Sequence, residues 1–331
     1  MRRTILFGGV NRERLVSVAS AQALSAALPE AELWYWAPGG QVHAADAAAL
    51  AAHQRPFEID FPATGAPIGS IEAALDRAAA ERRVLVLALH GGAAENGDLG
   101  VLCEVRGVAF TGSGAAASRL AFDKAATKAA VAEAGVKAPG TVSVETAAEG
   151  LARYGRLVAK PVAEGSSYGL IFVSSAADLE TLAKAAEREA YLVEPFIAGA
   201  EATCGVLERA DGSLVALPPV EIRPAEGAFD YKSKYLAAAT QEICPATFAP
   251  PINAALQDAA LKAHRAVGAR GYSRSDFIVT GDGVVFLEIN TLPGLTKASL
   301  YPKALAAQGI EFVDFLEGQI ALAQARAAET P

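Results

Sequence analysis

The chain has 331 residues, enough for two or three packed units, and 52% of them are hydrophobic against 20% charged, a balance that excludes both a disordered chain and a membrane-embedded one. Lys and Arg total 29 and Asp and Glu 37, for a net charge of −8, and no stretch interleaves basic residues with aromatics, which argues against nucleic acid as a partner. A negatively charged protein that handles anionic ligands must gather its cations locally, so isolated Lys and Arg on loops are the expected mark of a site.

The first third alternates β-rich runs with Ala-rich helical stretches: Thr4 to Phe7, Val16 to Leu28, Glu32 to Trp36, Ile71 to Ala80 and Val84 to Leu89. This order predicts a parallel sheet with helices on its faces, and in such sheets ligands bind at the strand ends. Two strand ends carry unusual loops, Gly8-Gly9-Val10-Asn11-Arg12-Glu13-Arg14 and His90-Gly91-Gly92-Ala93-Ala94-Glu95-Asn96-Gly97. An Ala-rich helix is expected over 115–134, carrying Asp123-Lys124. A smaller α+β section follows: a strand Leu157 to Pro161, the polar loop Glu164-Gly165-Ser166-Ser167-Tyr168-Gly169, a strand Leu170 to Val173, a helix Ala176 to Arg188 and a strand Tyr191 to Ile197. The last third reads as strands at 202–208 and 213–222, a Tyr- and Lys-rich loop at 229–236, a helix at 252–267, a hairpin and a terminal helix. The hairpin pairs Asp276–Thr280 with Val284–Ile289 around Gly281-Asp282-Gly283. Boundaries are expected near 113 and 195, giving units at 1–113, 114–194 and 195–331.

Cys103, Cys204 and Cys244 are far apart and form no CxxC pair, so neither a disulfide framework nor a structural zinc is expected. Met1-Arg2-Arg3 opens like a secretory signal, but Asn11-Arg12-Glu13-Arg14 interrupts the apolar run, and no segment reaches the ~18 apolar residues of a membrane span. A cytoplasmic location is the expectation.

The chemistry-bearing residues concentrate in the hairpin. Arg274-Ser275-Asp276 opens one strand and Glu288-Ile289-Asn290 closes its partner, so three oxygen-bearing side chains can converge, with 288 and 290 on one face by the period of two. Oxygen-only donors suit magnesium bridging to phosphates; a polar solvated face is the equally simple alternative. Glu288 follows the apolar run Val284-Val285-Phe286-Leu287, where an unligated carboxylate is costly. The stretch Asn290 to Gly294 leads to a helix start at Ser299-Leu300, a source of backbone N–H groups for an anion. The loop Glu164 to Gly169 is neither a Walker loop nor a dinucleotide fingerprint; it can wrap a phosphate chain or simply turn a hairpin. Lys124 and Lys160 taken singly read as lysines that reach out to solvent.

Together these pieces resemble the D-alanine:D-alanine ligase family of the ATP-grasp superfamily, in order and over nearly the whole chain. The matching segments are Phe7-Gly8-Gly9 with Glu13-Arg14 and Val16-Ser17; Ala88-Leu89-His90-Gly91 with Glu95 and Gly97; Thr111 to Gly114; and Asp123-Lys124. They continue with Lys160-Pro161, Glu164 to Ser167 and Gly169; Tyr231 with Lys234-Tyr235-Leu236; Arg274 with Asp276; and Glu288 with Asn290-Thr291 and Pro293-Gly294. The resemblance implies an ATP-grasp fold preceded by a parallel-sheet α/β domain. It implies ATP-dependent synthesis of D-alanyl-D-alanine for peptidoglycan through an acyl phosphate, and a homodimer; composition adds the expectation of neither membrane nor nucleic acid as a partner.

By the same resemblance, Asp276, Glu288 and Asn290 hold two magnesium ions, for which manganese can substitute. Lys124, Lys160 and Lys234 neutralise phosphates, while Glu164 and Ser167 belong to the loop over the triphosphate. Glu194 to Ile197 flank adenine, and Glu201 takes the ribose hydroxyls. Glu13 meets the first D-alanine's ammonium and joins Ser166 and Tyr235 in a triad; His90 lies near that substrate's carboxylate. Arg274 and the Gly294 amide face the oxyanion, and Ser299 with the Leu300 amide holds the second substrate's carboxylate.

Departures from the family pattern are Leu15 in place of Glu, Val162-Ala163 in place of polar residues, Gly100 near a usual Gln, and Lys297-Ala298 in place of Ser-His. They gather around the amino-acid pocket and keep open a ligase joining other amino acids in secondary metabolism. A nucleotide-binding relative without ligase activity is the other alternative. A nicotinamide dehydrogenase is disfavoured, because Gly8-Gly9-Val10-Asn11 lacks the GxGxxG spacing.

Overall fold

The computed structural model describes residues 1–162, 168–224 and 240–329. The first sheet contains β1 (Arg2–Gly8), β2 (Glu32–Trp36), β3 (Gln41–Ala45), β4 (Pro67–Ser70), β5 (Arg83–Leu87) and β6 (Ala109–Phe110), in the order β4-β3-β2-β1-β5-β6. β2, β1, β5 and β6 are mutually parallel, as the alternation predicts, and Ile5, Leu6 and Phe7 of the central strand are fully buried. β3 and β4 add an antiparallel extension that the sequence does not announce, since Gln41–Ala45 and Pro67–Ser70 contain few β-branched residues.

The expected single helix over 115–134 is two helices, Ala115–Phe122 and Lys124–Glu133. Asp123 makes the break: its backbone is extended and its Oδ1 accepts from the N–H groups of Ala125 and Ala126, both at 3.0 Å. It thereby satisfies two donors that a helix start leaves open. Lys124 becomes the first residue of the second helix.

A small antiparallel sheet follows, β8 (Ile171–Val173), β7 (Leu157–Pro161) and β9 (Tyr191–Pro195), in the order β8-β7-β9. Leu157, Ala159, Val173 and Val193 face the helices Ala147–Tyr154 and Ala176–Ala186. The third sheet contains β10 (Ala200–Glu208), β11 (Leu214–Ala216), β12 (Val220–Arg223), β13 (Gln241–Ile243), β14 (Tyr272–Thr280) and β15 (Gly283–Asn290), running β13-β12-β10-β14-β15 with β11 on β10. The expected strand at 213–222 is therefore two, interrupted by Leu217-Pro218-Pro219, because consecutive prolines donate no ladder bonds.

One face of the third sheet is apolar: Ala202, Cys204, Phe277, Phe286 and Ile289 pack with Leu256, Ala259, Ala260 and Ala263 of the helix Pro250–Ala266. A bulge after Asp276 divides the β14–β15 hairpin. Asp276 pairs with Glu288 and Phe277 with Phe286, leaving Leu287 as the extra residue. The irregularity puts both phenylalanines on the helix side, their ring centroids 5.9 Å apart, while both acids stay on the opposite face. The terminal helix Phe312–Glu329 packs on β5 and β6 of the first sheet.

Phe286 is fully buried, so Phe286→Ala should cost about 3–5 kcal/mol of stability. Denaturant unfolding followed by circular dichroism checks this; a loss below about 1 kcal/mol would mean that the hairpin is not anchored from the helix side.

Candidate active site

The open face of the third sheet gathers polar groups. Arg274 is registered opposite Asn290 and Asp276 opposite Glu288, so the four share one face of the hairpin. Thr203, the partner of Asp276 on β10, donates from Oγ1 to Asp276 Oδ1 at 2.6 Å, and Glu201 lies two residues along on the same side. Arg274 donates from Nε to Asp276 Oδ1 at 2.9 Å and from Nη2 to Oδ2 at 3.0 Å. Asn290 Oδ1 accepts from the Leu292 N–H at 2.8 Å, which fixes its amide as the loop leaves the strand.

Two carboxylates and an amide oxygen aligned by strand register suit a hard cation of the magnesium type. Among the described residues no group of three or more His, Cys, Asp and Glu is arranged to hold a metal by itself.

Across from the hairpin, Glu194 of β9 is only 2% exposed. One of its oxygens contacts the ammonium of Lys128, and the other is 3.1 Å from Lys160 Nζ. Lys160 and Glu194 belong to adjacent strands two residues out of register, a same-face diagonal within reach of long side chains. Lys128, which the motif reading did not single out, belongs to this group. Its signal was present: Lys124, Lys128 and Val131 fall at helical spacing on one face, and Lys128 and Val131 are buried. Burial pushes the Lys128 ammonium pKa down, the charges of Lys160 and Lys124 add to this, and Glu288 opposes it. Lys128 thus lies within the field of both the hairpin and the small sheet. Lys124 and Ile197, in the link from β9 to β10, are both half-buried.

The loops of the first sheet close the remaining side. Glu13 precedes the helix Arg14–Ala27 without capping it through its side chain. Its carboxyl lies beside Gly91, where an added Cβ would sit 3.0 Å from Glu13 Cδ and where φ is +63°, a backbone conformation that favours glycine. Asn11 ties the two loops together: its Oδ1 accepts from the Glu13 N–H and its Nδ2 donates to the His90 carbonyl.

His90 is buried. One ring nitrogen is 2.8 Å from Ser20 Oγ, and the other, Nδ1, is 3.0 Å from the Leu292 carbonyl, so Nδ1 carries the hydrogen. Burial pushes its pKa down to about 4, and the ring stays neutral at physiological pH. Glu95 accepts from the Gly91 N–H at 2.9 Å. Loss of hydration and the Glu13 charge push its carboxyl up to about 8, with Arg274 acting in the other direction.

Ser299 precedes the helix Leu300–Ala307, which begins where the sequence predicts. Its hydroxyl is 2.8 Å from Thr296 Oγ1 and close enough to Gly294 that an added Cβ there would lie 2.8 Å from Ser299 Oγ. Gly100, a departure from the family pattern, allows the helices Asp98–Glu104 and Ala115–Phe122 to touch, since a Cβ would meet Ala115 backbone at 2.9 Å. Nothing in the structure accounts for Leu15 or Lys297. The guanidinium of Arg12, in the first-strand loop, sits 5.8 Å from the ring centroid of Tyr168. Glu164, Ser166, Ser167, Tyr231, Lys234 and Tyr235 lie outside the described residues.

A carboxylate hairpin facing a small lysine-bearing sheet, behind a parallel α/β domain, defines an ATP-grasp protein. Residues 2–113 match the family model described as D-ala D-ala ligase N-terminus, and residues 140–321 match that of the D-ala D-ala ligase C-terminus. A D-alanine–D-alanine ligase from Desulforudis audaxviator is 36% identical, with 97% of this chain and 98% of that protein covered. The solved VanG D-Ala:D-Ser ligase from Enterococcus faecalis superposes with a TM-score of 0.82 at 26% identity, covering 97% of this chain and 99% of the other. The Bacillus anthracis D-alanine–D-alanine ligase complexed with ATP superposes with a TM-score of 0.73 at 26% identity, over 100% and 99% of the two chains. The chain belongs to the D-alanine:D-alanine ligase family.

The raised pKa of Glu95 gives a signed expectation. Between the ordinary carboxyl value of 4.5 and about 8, the folded chain keeps a proton that the unfolded chain has released, so stability falls as pH rises through that window. Glu95→Gln removes this loss, and the melting temperature of the unmodified protein should fall relative to the variant from about pH 5 to 8. Parallel profiles would remove the assignment.

Proposed function

We propose that this chain joins two D-alanines in an ATP-dependent, ADP-forming reaction that supplies D-alanyl-D-alanine for peptidoglycan. The observation that carries the reading is the Arg274–Asp276–Glu288–Asn290 face, set opposite the Lys160–Glu194–Lys128 group, in a chain of this ligase family. We place the reaction in the cytoplasm and the enzyme in a homodimer.

The attacking group is the carboxylate of the first D-alanine and the acceptor is the terminal phosphorus of ATP, so two anions must approach one another. Lys124 and Lys160 lower that repulsion along the in-line path. Magnesium held by Asp276, Glu288 and Asn290 supplies further charge neutralisation at the phosphates when bound. Glu13 holds the first substrate's ammonium. Neutral His90, with both ring nitrogens engaged, shapes the pocket for that substrate's carboxylate and takes no part in proton transfer.

The acyl phosphate that results must be kept from water until the second amine attacks. An oxyanion develops in that attack, and Arg274, held in place by its two bonds to Asp276, donates to it together with the Gly294 amide. Ser299 and the Leu300 amide take the second substrate's carboxylate. Glu194 and Ile197 line the base and Glu201 the ribose. The roles assigned to Glu164, Ser166, Ser167, Lys234 and Tyr235 are retained in the proposal on the resemblance alone.

The test is ADP release with ATP, magnesium and a panel of D-alanine, D-serine, D-lactate and L-amino acids, with identification of the product. D-alanyl-D-alanine should dominate at neutral pH; activity confined to L-amino acids or hydroxy acids would overturn the reading. Arg274→Ala should lower kcat about 100-fold or more, by analogy with a removed oxyanion donor. An unchanged rate would remove Arg274 from that role.

A further inference from the structure

Thr203 lies on β10, the central strand of the third sheet, where it is 1% exposed and registered opposite Asp276 of β14. Its chain neighbours Ala202 and Cys204 face the apolar helix side, so the period of two turns Thr203 toward the open face that carries Arg274, Asp276 and Glu288. The ligation chemistry as derived above assigns this hydroxyl nothing to do.

A hydroxyl buried to this degree needs an acceptor. Thr203 Oγ1 is 2.6 Å from Asp276 Oδ1 and 3.0 Å from the Ser275 carbonyl. It has a single hydrogen to give, and the shorter contact, to a charged oxygen, takes it.

Asp276 has a second donor of a different kind. Arg274 belongs to the same strand, donates to both carboxylate oxygens and keeps 15% of its side-chain surface accessible. In the reading above, the same guanidinium also donates to the oxyanion, so its hydrogens serve two acceptors during turnover. Thr203 serves Asp276 from another strand. Its branched Cβ restricts the side chain to few rotamers, and the β10–β14 ladder runs on both sides of it, so the direction of its hydroxyl is set by the sheet.

Such an anchor has work to do. Glu288 sits directly opposite Asp276, and like charges in that position push one another apart. A divalent cation shared by the two side chains needs both carboxylates turned toward it before it arrives. A donor that fixes one of them from behind removes the rotation that binding would otherwise have to freeze, and the loss of such a partner weakens metal sites.

We propose that Thr203 is a positioning residue that fixes the Asp276 carboxylate for the divalent cation. The inference rests on the reading above, in which Asp276, Glu288 and Asn290 hold magnesium. Thr203 acts through Asp276, to which its hydroxyl donates, and is not itself a ligand of the cation.

The test measures Mn2+ binding to the ADP complex of the enzyme, from the paramagnetic resonance of the remaining free ion, for the unmodified protein, Thr203→Val, Thr203→Ser and Asp276→Asn. Thr203→Val keeps the shape of the side chain and removes the donor. It should weaken Mn2+ binding about 10- to 100-fold and raise the magnesium concentration for half-maximal ADP release in step, while the KM values for D-alanine change little. Thr203→Ser retains the hydroxyl and should stay close to the unmodified protein. An unchanged Mn2+ affinity in Thr203→Val, or equal losses in Thr203→Val and Thr203→Ser, would overturn the proposal.

Should Thr203→Val fail to fold, Thr203→Ala takes its place, since it differs from Thr203→Ser by the hydroxyl alone. Thr203→Ser should then bind Mn2+ more tightly than Thr203→Ala by the same factor, and equal affinities overturn the proposal. Asp276→Asn separates this inference from the functional reading. Mn2+ binding that is indifferent to Asp276→Asn would take the metal away from the hairpin and sink both, whereas binding lost in Asp276→Asn but kept in Thr203→Val sinks this inference alone.

Discussion

Asp276 and Glu288 sit directly opposite one another on adjacent antiparallel strands, and like charges in that position repel. The fold holds them there by three means. Thr203 and Arg274 donate to Asp276, which spreads its charge over fixed hydrogens. The bulge lets the strands keep both acids on one side while Phe277 and Phe286 turn to the other. The helix Pro250–Ala266 then buries that second side, so apolar packing opposes a repulsion that local charge alone would not tolerate. The chemistry of the open face therefore depends on the closed one.

The same reasoning extends across the cleft, with the signs reversed. The hairpin presents an excess of carboxylate, and the facing group places the Lys160 and Lys128 amines around Glu194. In the proposed reaction, the metal-bound half of a polyphosphate would face the carboxylates and its anionic half the lysines. The third wall, from the first sheet, is held nearly charge-neutral where it meets the others: His90 is an uncharged ring and Glu95 retains its proton at neutral pH. A small zwitterion bound beside that wall encounters few competing charges apart from Glu13.

Much of this was legible in the sequence because it is periodic or local. Alternation of strands and helices gave the parallel core of the first sheet, Gly281-Asp282-Gly283 gave the hairpin, and the period of two put Glu288 and Asn290 on one face. What escaped depends on distance in space. Lys128 looks like one more lysine on an Ala-rich helix until β9 is packed against it. Asp123 reads as mid-helix because the Ala-rich pattern continues on both sides of it, although its carboxylate is a helix-capping group once the backbone there is extended. The antiparallel pair β3–β4 has no strong propensity and exists because β2 offers it an edge. The pairing of His90 with Ser20 and Leu292 joins residues 202 positions apart in one of its two bonds, which no local pattern encodes.

The way the terminal helix seats has a bearing on how the polypeptide is made. Arg326 donates to the carbonyls of Phe110 and Gly112, Glu317 forms a two-bond fork with Arg3, and Phe315, Leu316, Ile320 and Ala323 complete the core of the first sheet. During synthesis, β6 emerges about 200 residues before that helix, which at ~5–20 residues per second is roughly 10–40 s. For that interval the nascent first sheet has an uncovered apolar flank beside β5 and β6, a transiently exposed surface prone to association until the helix covers it. The first-made sheet thus acquires its finished interior only after the helix Phe312–Glu329 has been synthesised.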